Sequence, residues 1–305
     1  MKYIYKAVAY FLLVSVMVGC GSSFEKERQA AKERQKQQAK MDAEALKIGM
    51  LPTLDCLPFY VANEEQLFDT AAHIRIRAYD SQIDADAAMT SKKIEGCVTD
   101  IVRAQRMIQR GMPLHYITTT NAYWQLISSR SARLTQLKQL EDKMIAMTRF
   151  SVTDYLSDLA VDSAKLKQDL VFRVQINDPN IRLKMLLNKE MDAVLLPEPQ
   201  ATTARLFKNP VLMDSKQKKL QMGAVVMREE LLKDKRRQEQ LQALVKGYNA
   251  ACDSINKKGV AHYASLIMQY TKADDRTVKA LPKTTFHHAT PPAESDMVKA
   301  DKWLK

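Results

Sequence analysis

Glycine is scarce. Eight glycines occur in 305 residues, and they complete neither a GxGxxG nor a GxxxxGKS/T loop. That excludes a glycine-rich phosphate cradle of either kind. Four cysteines are too few for a disulfide scaffold. His73, His115, His262, His287 and His288 include no HExxH pair, so no metal-ligand spacing is present. No GxSxG elbow or catalytic triad is legible either. No metal, cofactor or catalytic residue is therefore expected. One apolar run, at the N-terminus, is long enough to notice, which excludes a polytopic membrane protein. What remains is ordinary globular composition, 46% hydrophobic and 27% charged, at a length that allows one large domain or two smaller ones. Acids are outnumbered, 35 against 47 bases, for a net charge of +12.

The first twenty residues read as an export signal. Lys2 and Lys6 give the positive start, and residues 7–18 are apolar or small apart from Tyr10 and Ser15. The run is short for a spanning helix and right for a signal core. Its ending, Val16-Met17-Val18-Gly19-Cys20, resembles a bacterial lipobox, which implies acylation of the Cys20 thiol. Val18 is a departure, since Ala or Ser is commoner there. An uncleaved anchor helix is the alternative. Either way the bulk of the chain is expected outside the cytoplasm and tethered to a membrane. Export argues against nucleic acid as a partner of the basic chain. Residues 24–46 alternate in charge sign, as a solvated surface does. Residues 21–45 carry almost no large apolar side chain and read as a polar tether.

From residue 46 the pattern changes to β/α alternation. Strands are expected at 46–50, 74–76, 97–98 and 114–118, with helices at 59–66, 83–92 and 101–110 between them. A second block follows. Residues 125–129, 144–147, 171–174 and 193–196 read as extended, and 134–140, 153–160, 181–189 and 198–207 as helical. A strand at 222–227 returns to the first block, and helices are expected at 231–255, 260–270, 277–281 and 296–304. The rhythm predicts two α/β lobes, each a mostly parallel sheet flanked by helices. Their carboxyl strand ends would line one cleft. The first lobe is assigned residues 46–122 and 222–305, the second 123–221.

Four segments carry a resemblance. "LKIGMLPTLDCLPFYVANEEQLF" (46–68) is similar to the opening of type 2 periplasmic binding proteins of the nitrate, sulfonate, taurine and thiamine-precursor group, with Gln66 in place of the usual glycine. "MTSKKIEGCVTDIVRAQRMIQRGMPLHYI" (89–117) resembles "L-x-x-G-x-I-D-A … G-x-P-L-x-V", with Glu95-Gly96-Cys97 where Asp-Ala or Asp-Val is usual. "LEDKMIAMTRFSVTDYL" (140–156) is similar to "L-K-G-K-x-I-A-V-x-x-x-S … Y-L". "LLNKEMDAVLLPEPQATTA" (186–204) is similar to "L-x-x-G-x-I-D-A … E-P … A". The resemblance covers 46–305 in one register. It implies a hinged cleft that closes on one small solute, and delivery to the transmembrane subunits of an ABC importer. A monomer without enzymatic activity is expected.

The candidate ligand contacts are Thr53, Asp55, Tyr79, Thr99, Asp100, Asn121, Tyr123, Ser151, Thr153, Asn177 and Glu198. Asp55, Asp100, Ser151 and Thr153 sit where a helix begins, so each is equally a capping residue. Free N–H groups near Ser151 would favour an anion, although Asp154 opposes one. Glu198 lies between two prolines that fix its backbone. Tyr79, Tyr123 and Trp124 could stack a planar ligand or pack a core. Asp55, Asp100 and Glu198 together favour a neutral or cationic, donor-rich solute such as an aminopyrimidine. Two alternatives stay open. One is an enzyme of pyrimidine or thiamine metabolism on the same fold, for which Cys56 is the one cysteine at a strand-end loop. The other is a structural lipoprotein that has lost its ligand.

Overall fold

The computed structural model of the protein describes residues 24–37 and 39–305. The signal reading of residues 1–20, with Cys20, lies outside them. Residues 24–37 and 39–44 are helical and largely exposed, as a segment with no apolar stripe must be. The chain divides after Ala45, and Leu46–Lys305 forms the second unit.

That unit contains two five-stranded sheets. The first holds β1 (Leu46–Met50), β2 (Ile74–Ala78), β3 (Gly96–Asp100), β4 (Leu114–Thr119) and β10 (Gly223–Arg228) in the order β2-β1-β3-β10-β4. The second holds β5 (Trp124–Ser128), β6 (Lys143–Met147), β7 (Val171–Gln175), β8 (Ala193–Pro197) and β9 (Val211–Asp214) in the order β7-β6-β8-β5-β9. Helices α1 (Leu57–Glu64), α2 (Gln82–Thr90) and α3 (Ile101–Gln109) follow β1, β2 and β3. Helices α4 (Val152–Ser163), α5 (Pro179–Leu187) and α6 (Gln200–Leu206) follow β6, β7 and β8. Then come α7 (Lys235–Lys258), α8 (Ala264–Thr271), α9 (Asp275–Lys279) and α10 (Glu294–Leu304).

The mostly parallel sheets expected from the β/α rhythm are mixed. β1 pairs in parallel with β2 and β3, but β10 runs antiparallel to both β3 and β4. β5 is likewise antiparallel to β8 and β9. The reason is connectivity. β5 and β10 are the strands by which the chain enters each lobe from the other, so each arrives against the local direction. Strand β9 went unforeseen, and the expected helix at 134–140 shrinks to a 3-10 turn at Leu137–Leu140.

Central strands β3, β5, β8 and β10 are buried along their whole length, whereas edge strand β2 is mostly exposed. This is the contrast that helices on both faces impose. Leu46, Ile48, Phe59, Tyr60, Tyr248 and Phe286 lie in the core of one face of the first lobe. Ile101 and Val102 of α3 instead join the second lobe's core with Leu126, Leu156 and Val161. Apolar packing is therefore continuous across the two lobes. Helix α10 reinforces it from outside. Its Ala300 is buried in that same core, and Trp303 donates Nε1–H to Asp158 of α4 at 2.8 Å.

The crossovers pass between the lobes close together. A Cβ on Gly223 would collide with Thr120 Oγ1 and come within 2.7 Å of Ala122 Cβ. Elsewhere the shortage of glycine leaves side chains in left-handed backbone. Gln66, Lys92, Asp142 and Lys189 have φ of 54°, 57°, 57° and 65°, at the positions where the four resembled patterns carry glycine. Left-handed backbone costs a side-chain-bearing residue roughly 1–2 kcal/mol. Lys189 is exposed, so Lys189→Gly should stabilise by about 1 kcal/mol, less the entropy glycine adds to the unfolded chain. A urea midpoint that falls would contradict this.

Candidate functional site

Residues at the carboxyl ends of β1, β2, β3, β7 and β8 face one another across the lobes. The cleft between them is lined by Leu51–Thr53 and Asp55, Asp80–Gln82, Val98 and Thr99 from the first lobe, and by Trp124, Asn177, Pro179, Arg182 and Pro197 from the second. Its volume is about 30 Å³, room for roughly one water.

Of the expected contacts, Thr53, Asp55, Thr99 and Asn177 line this cleft, and Trp124 joins them. The others do not. Tyr79 packs against the core beneath α2. Asn121 and Tyr123 line a separate pocket beside the crossovers, where Asn121 Nδ2 donates to the Thr285 carbonyl at 2.6 Å. Ser151 and Thr153 are buried and bond each other at 2.7 Å. Ser151 Oγ also caps α4 by accepting from Thr153 N–H.

The three acids already hold protein donors. Asp55 Oδ2 accepts from Thr120 Oγ1 at 2.7 Å. Burial pushes its carboxyl up, and bonds from Thr53 and Thr120 pull it back. Asp100 is wholly buried between the lobes. Its Oδ1 accepts from Arg103 N–H at 2.9 Å, capping α3, and from Val152 N–H at 3.1 Å, at the start of α4 in the opposite lobe. Its Oδ2 accepts from Gln82 Nε2 at 2.8 Å. Burial pushes Asp100 up to about 6, against those donors and the Arg103 charge. Glu198 accepts from Tyr123 at 3.0 Å, Arg205 at 2.7 Å and Thr202 N–H at 2.9 Å. Glu198 is thereby paired with Arg205, whereas Asp55 on the cleft wall holds only neutral donors, so one carboxylate remains that a donor group of the solute could meet.

The unanswered groups are different ones, and the sequence did not single out three of them. Thr99 Oγ1, Arg182 Nε, Asn180 Nδ2 and Gln200 Oε1 are buried without a hydrogen-bond partner. Thr99 and Arg182 line the cleft. Arg182 is 4% exposed, donates through Nη1 to the Leu195 carbonyl at 2.7 Å, and makes no ion pair with any described residue. Burial pushes its guanidinium down to about 10, with Asp178 opposing. An uncompensated buried cation is expensive, and a guanidinium is suited to carboxylate, sulfonate or phosphate oxygens. The signal for Arg182 was its register. It lies one turn before Leu186 on the buried face of α5, while the neighbouring apolar Ile181 is 50% exposed.

The lobes also bond each other directly. Leu54 N–H donates to the Glu198 carbonyl at 2.8 Å. Gln200 Nε2 donates to the Pro52 carbonyl at 2.9 Å, and Arg103 Nη1 to the Arg149 carbonyl at 3.2 Å. The structure is a closed one.

Cys56, Cys97 and Cys252 are free and buried. Burial, with Asp55 adjacent, pushes the Cys56 thiol well up. A thiol so held is the opposite of the activated cysteine the enzyme alternative requires. Iodoacetamide at pH 8 should leave these three cysteines unmodified in the native protein and alkylate all three in urea. Mapping by mass spectrometry checks it, and rapid native labelling of Cys56 would contradict it. Among the described residues no cluster of three or more His, Cys, Asp or Glu could hold a metal ion, and no helix is long and apolar enough to cross a membrane.

No protein-family model matches the chain, and no curated protein does. Solved structures do. The ligand-binding component of an ABC-type import system from Staphylococcus aureus, with zinc bound, is 16% identical with TM-score 0.71, over 86% of this chain and 92% of that one. The alkanesulfonate-binding protein from Xanthomonas axonopodis pv. citri, bound to MOPS, is 14% identical with TM-score 0.70, over 86% and 91%. The periplasmic nitrate-binding protein from Synechocystis is 12% identical with TM-score 0.66, over 77% and 68%. With its two lobes, mixed sheets and interlobe cleft, this chain has the type 2 periplasmic binding protein fold, the fold of these ABC-import binding proteins.

Proposed function

We propose that the protein is a solute-binding protein of an ABC importer, and that its interlobe cleft captures a small solute bearing an oxyanion group. The observation that carries the solute class is Arg182, a buried cation on the cleft wall with an unpartnered Nε. Thr99 offers a hydroxyl to the same ligand from the opposite lobe. The fold supports the transport role, since its neighbours include sulfonate- and nitrate-binding proteins. The solute enters when the lobes part about the crossovers, which breaks the bonds from Leu54, Gln200 and Val152. Closure then brings the lobes together around the solute, with the cleft wider than its present volume of about 30 Å³, and the closed form docks on the permease. The protein works as a monomer held outside the cytoplasm by a lipid on Cys20. Cys20→Ala should then abolish acylation and release the chain or leave it unprocessed. Mass spectrometry of the membrane-bound protein checks this.

Calorimetric titration with methanesulfonate, taurine, nitrate, short carboxylates and an aminopyrimidine tests the solute class. Saturable binding of an oxyanion supports it, and binding of the aminopyrimidine alone overturns it. One observation favours a second reading. A cleft of about 30 Å³, closed by the protein's own bonds, is what a structural lipoprotein on this fold would also show. Silence across the whole panel would favour that reading.

A further inference from the structure

A pocket larger than the cleft lies outside it. With a volume of about 550 Å³, it sits beside the crossovers and shares no lining residue with the cleft. Three stretches of chain build it. Thr120 to Tyr123 form the crossover into the second lobe, residues 216–221 lead back to the first, and residues 283–287 come from the C-terminal part. Lys216, Lys219 and Lys283 line it, and no Asp or Glu does. None of the three makes an ion pair with a described residue, and Lys216 Nζ sits 5.6 Å above the Tyr123 ring. Asn121, Gln221, Thr284 and Thr285 add neutral polar groups.

The three ammonium groups are exposed, so water and salt screen their mutual repulsion, but a multiply charged anion among them interacts favourably with all three at once. We propose that this pocket binds a phosphate-bearing polyanion, and that the bound anion couples to hinge angle. The coupling follows from the lining. Both crossovers contribute to it, so parting the lobes changes the spacing of the three charges and hence the affinity for the anion.

The anion could be a soluble phosphate ester or a lipid headgroup, and the test separates them. Inorganic pyrophosphate is titrated into the full chain at 50 mM and 200 mM salt, and vesicles of phosphatidylglycerol or phosphatidylcholine are sedimented with it. The triple variant Lys216→Gln/Lys219→Gln/Lys283→Gln is compared with Lys138→Gln/Lys165→Gln/Lys167→Gln, which removes equal charge elsewhere. Pyrophosphate binding that falls at least tenfold in the first variant and holds in the second establishes the site for soluble phosphates. Sedimentation with phosphatidylglycerol alone, lost only in the first variant, assigns it to lipid. No binding in either arm, or equal loss in both variants, overturns the proposal. Because Arg182 is untouched in both variants, the outcome is independent of whether the cleft takes an oxyanion.

Discussion

Arg182→Met should abolish solute binding while leaving the empty protein as stable as before, or more so. The wild-type guanidinium is 4% exposed, with Nε unpartnered and no ion pair among the described residues. A solute oxyanion would supply the missing partner. Removing one member of such a buried charge pair costs roughly 2–5 kcal/mol of binding, a loss of about 30-fold to several thousand-fold in affinity. In the unliganded protein the sign reverses. Methionine is close in volume and carries no charge to desolvate, and replacing buried charges by apolar side chains is often neutral or stabilising. The Leu195 carbonyl loses its donor, which opposes the gain by about 1 kcal/mol. Calorimetry and a urea melt on one preparation read both halves. A large fall in stability with unchanged affinity would make Arg182 a structural residue.

Asp100→Ala should loosen the lobes. One carboxylate oxygen caps α3 in the first lobe and accepts from the first N–H of α4 in the second. Truncation removes a cap, worth about 1 kcal/mol, and leaves a buried N–H of Val152 unanswered, worth about 1–3 kcal/mol more. A total near 2–4 kcal/mol is expected, with small-angle scattering showing a larger radius as open forms populate. Asp100→Asn behaves differently, because its amide oxygen still accepts from both N–H groups. The native carboxyl lies near 6 against 3.8 in a free side chain. A raised carboxyl favours folding while it is protonated. Its contribution is therefore complete below about pH 4 and is lost as pH rises through 6. Relative to wild type, the Asn variant should gain stability between pH 4 and 7, by an amount on the order of 3 kcal/mol. A constant difference across that window would mean Asp100 keeps an ordinary carboxylate pKa.

The β/α order of the fold was legible, because apolar alternation and helix starts are local signals. Two things were not. Strand direction in β5 and β10 depends on which lobe the chain arrives from, and no local pattern encodes that. The state of each candidate side chain depends on partners distant in sequence. Glu198 looked like a ligand acceptor, yet Arg205 lies seven residues on and Tyr123 seventy-five before it, and both reach its Oε1. Asp100 looked like a cap or a ligand contact and is a cap in both lobes at once. Arg182 is one of 47 bases in the sequence and nothing adjacent to it marks it out. Its burial shows only in the helical register that it shares with Leu186. Tyr79 stood at a strand end like Thr53 and Thr99, but its ring turns under α2, over the space left by Gly49.

A crystal structure grown with the tightest-binding member of the oxyanion panel shows whether the cleft takes an oxyanion on Arg182. A solute oxygen is expected within about 3.2 Å of Arg182 Nε, the usual limit for such a bond, with Thr99 Oγ1 on the same solute and the lobes closed around it. A solute bound elsewhere, or lying in the cleft with Arg182 Nε still unpartnered, would contradict this.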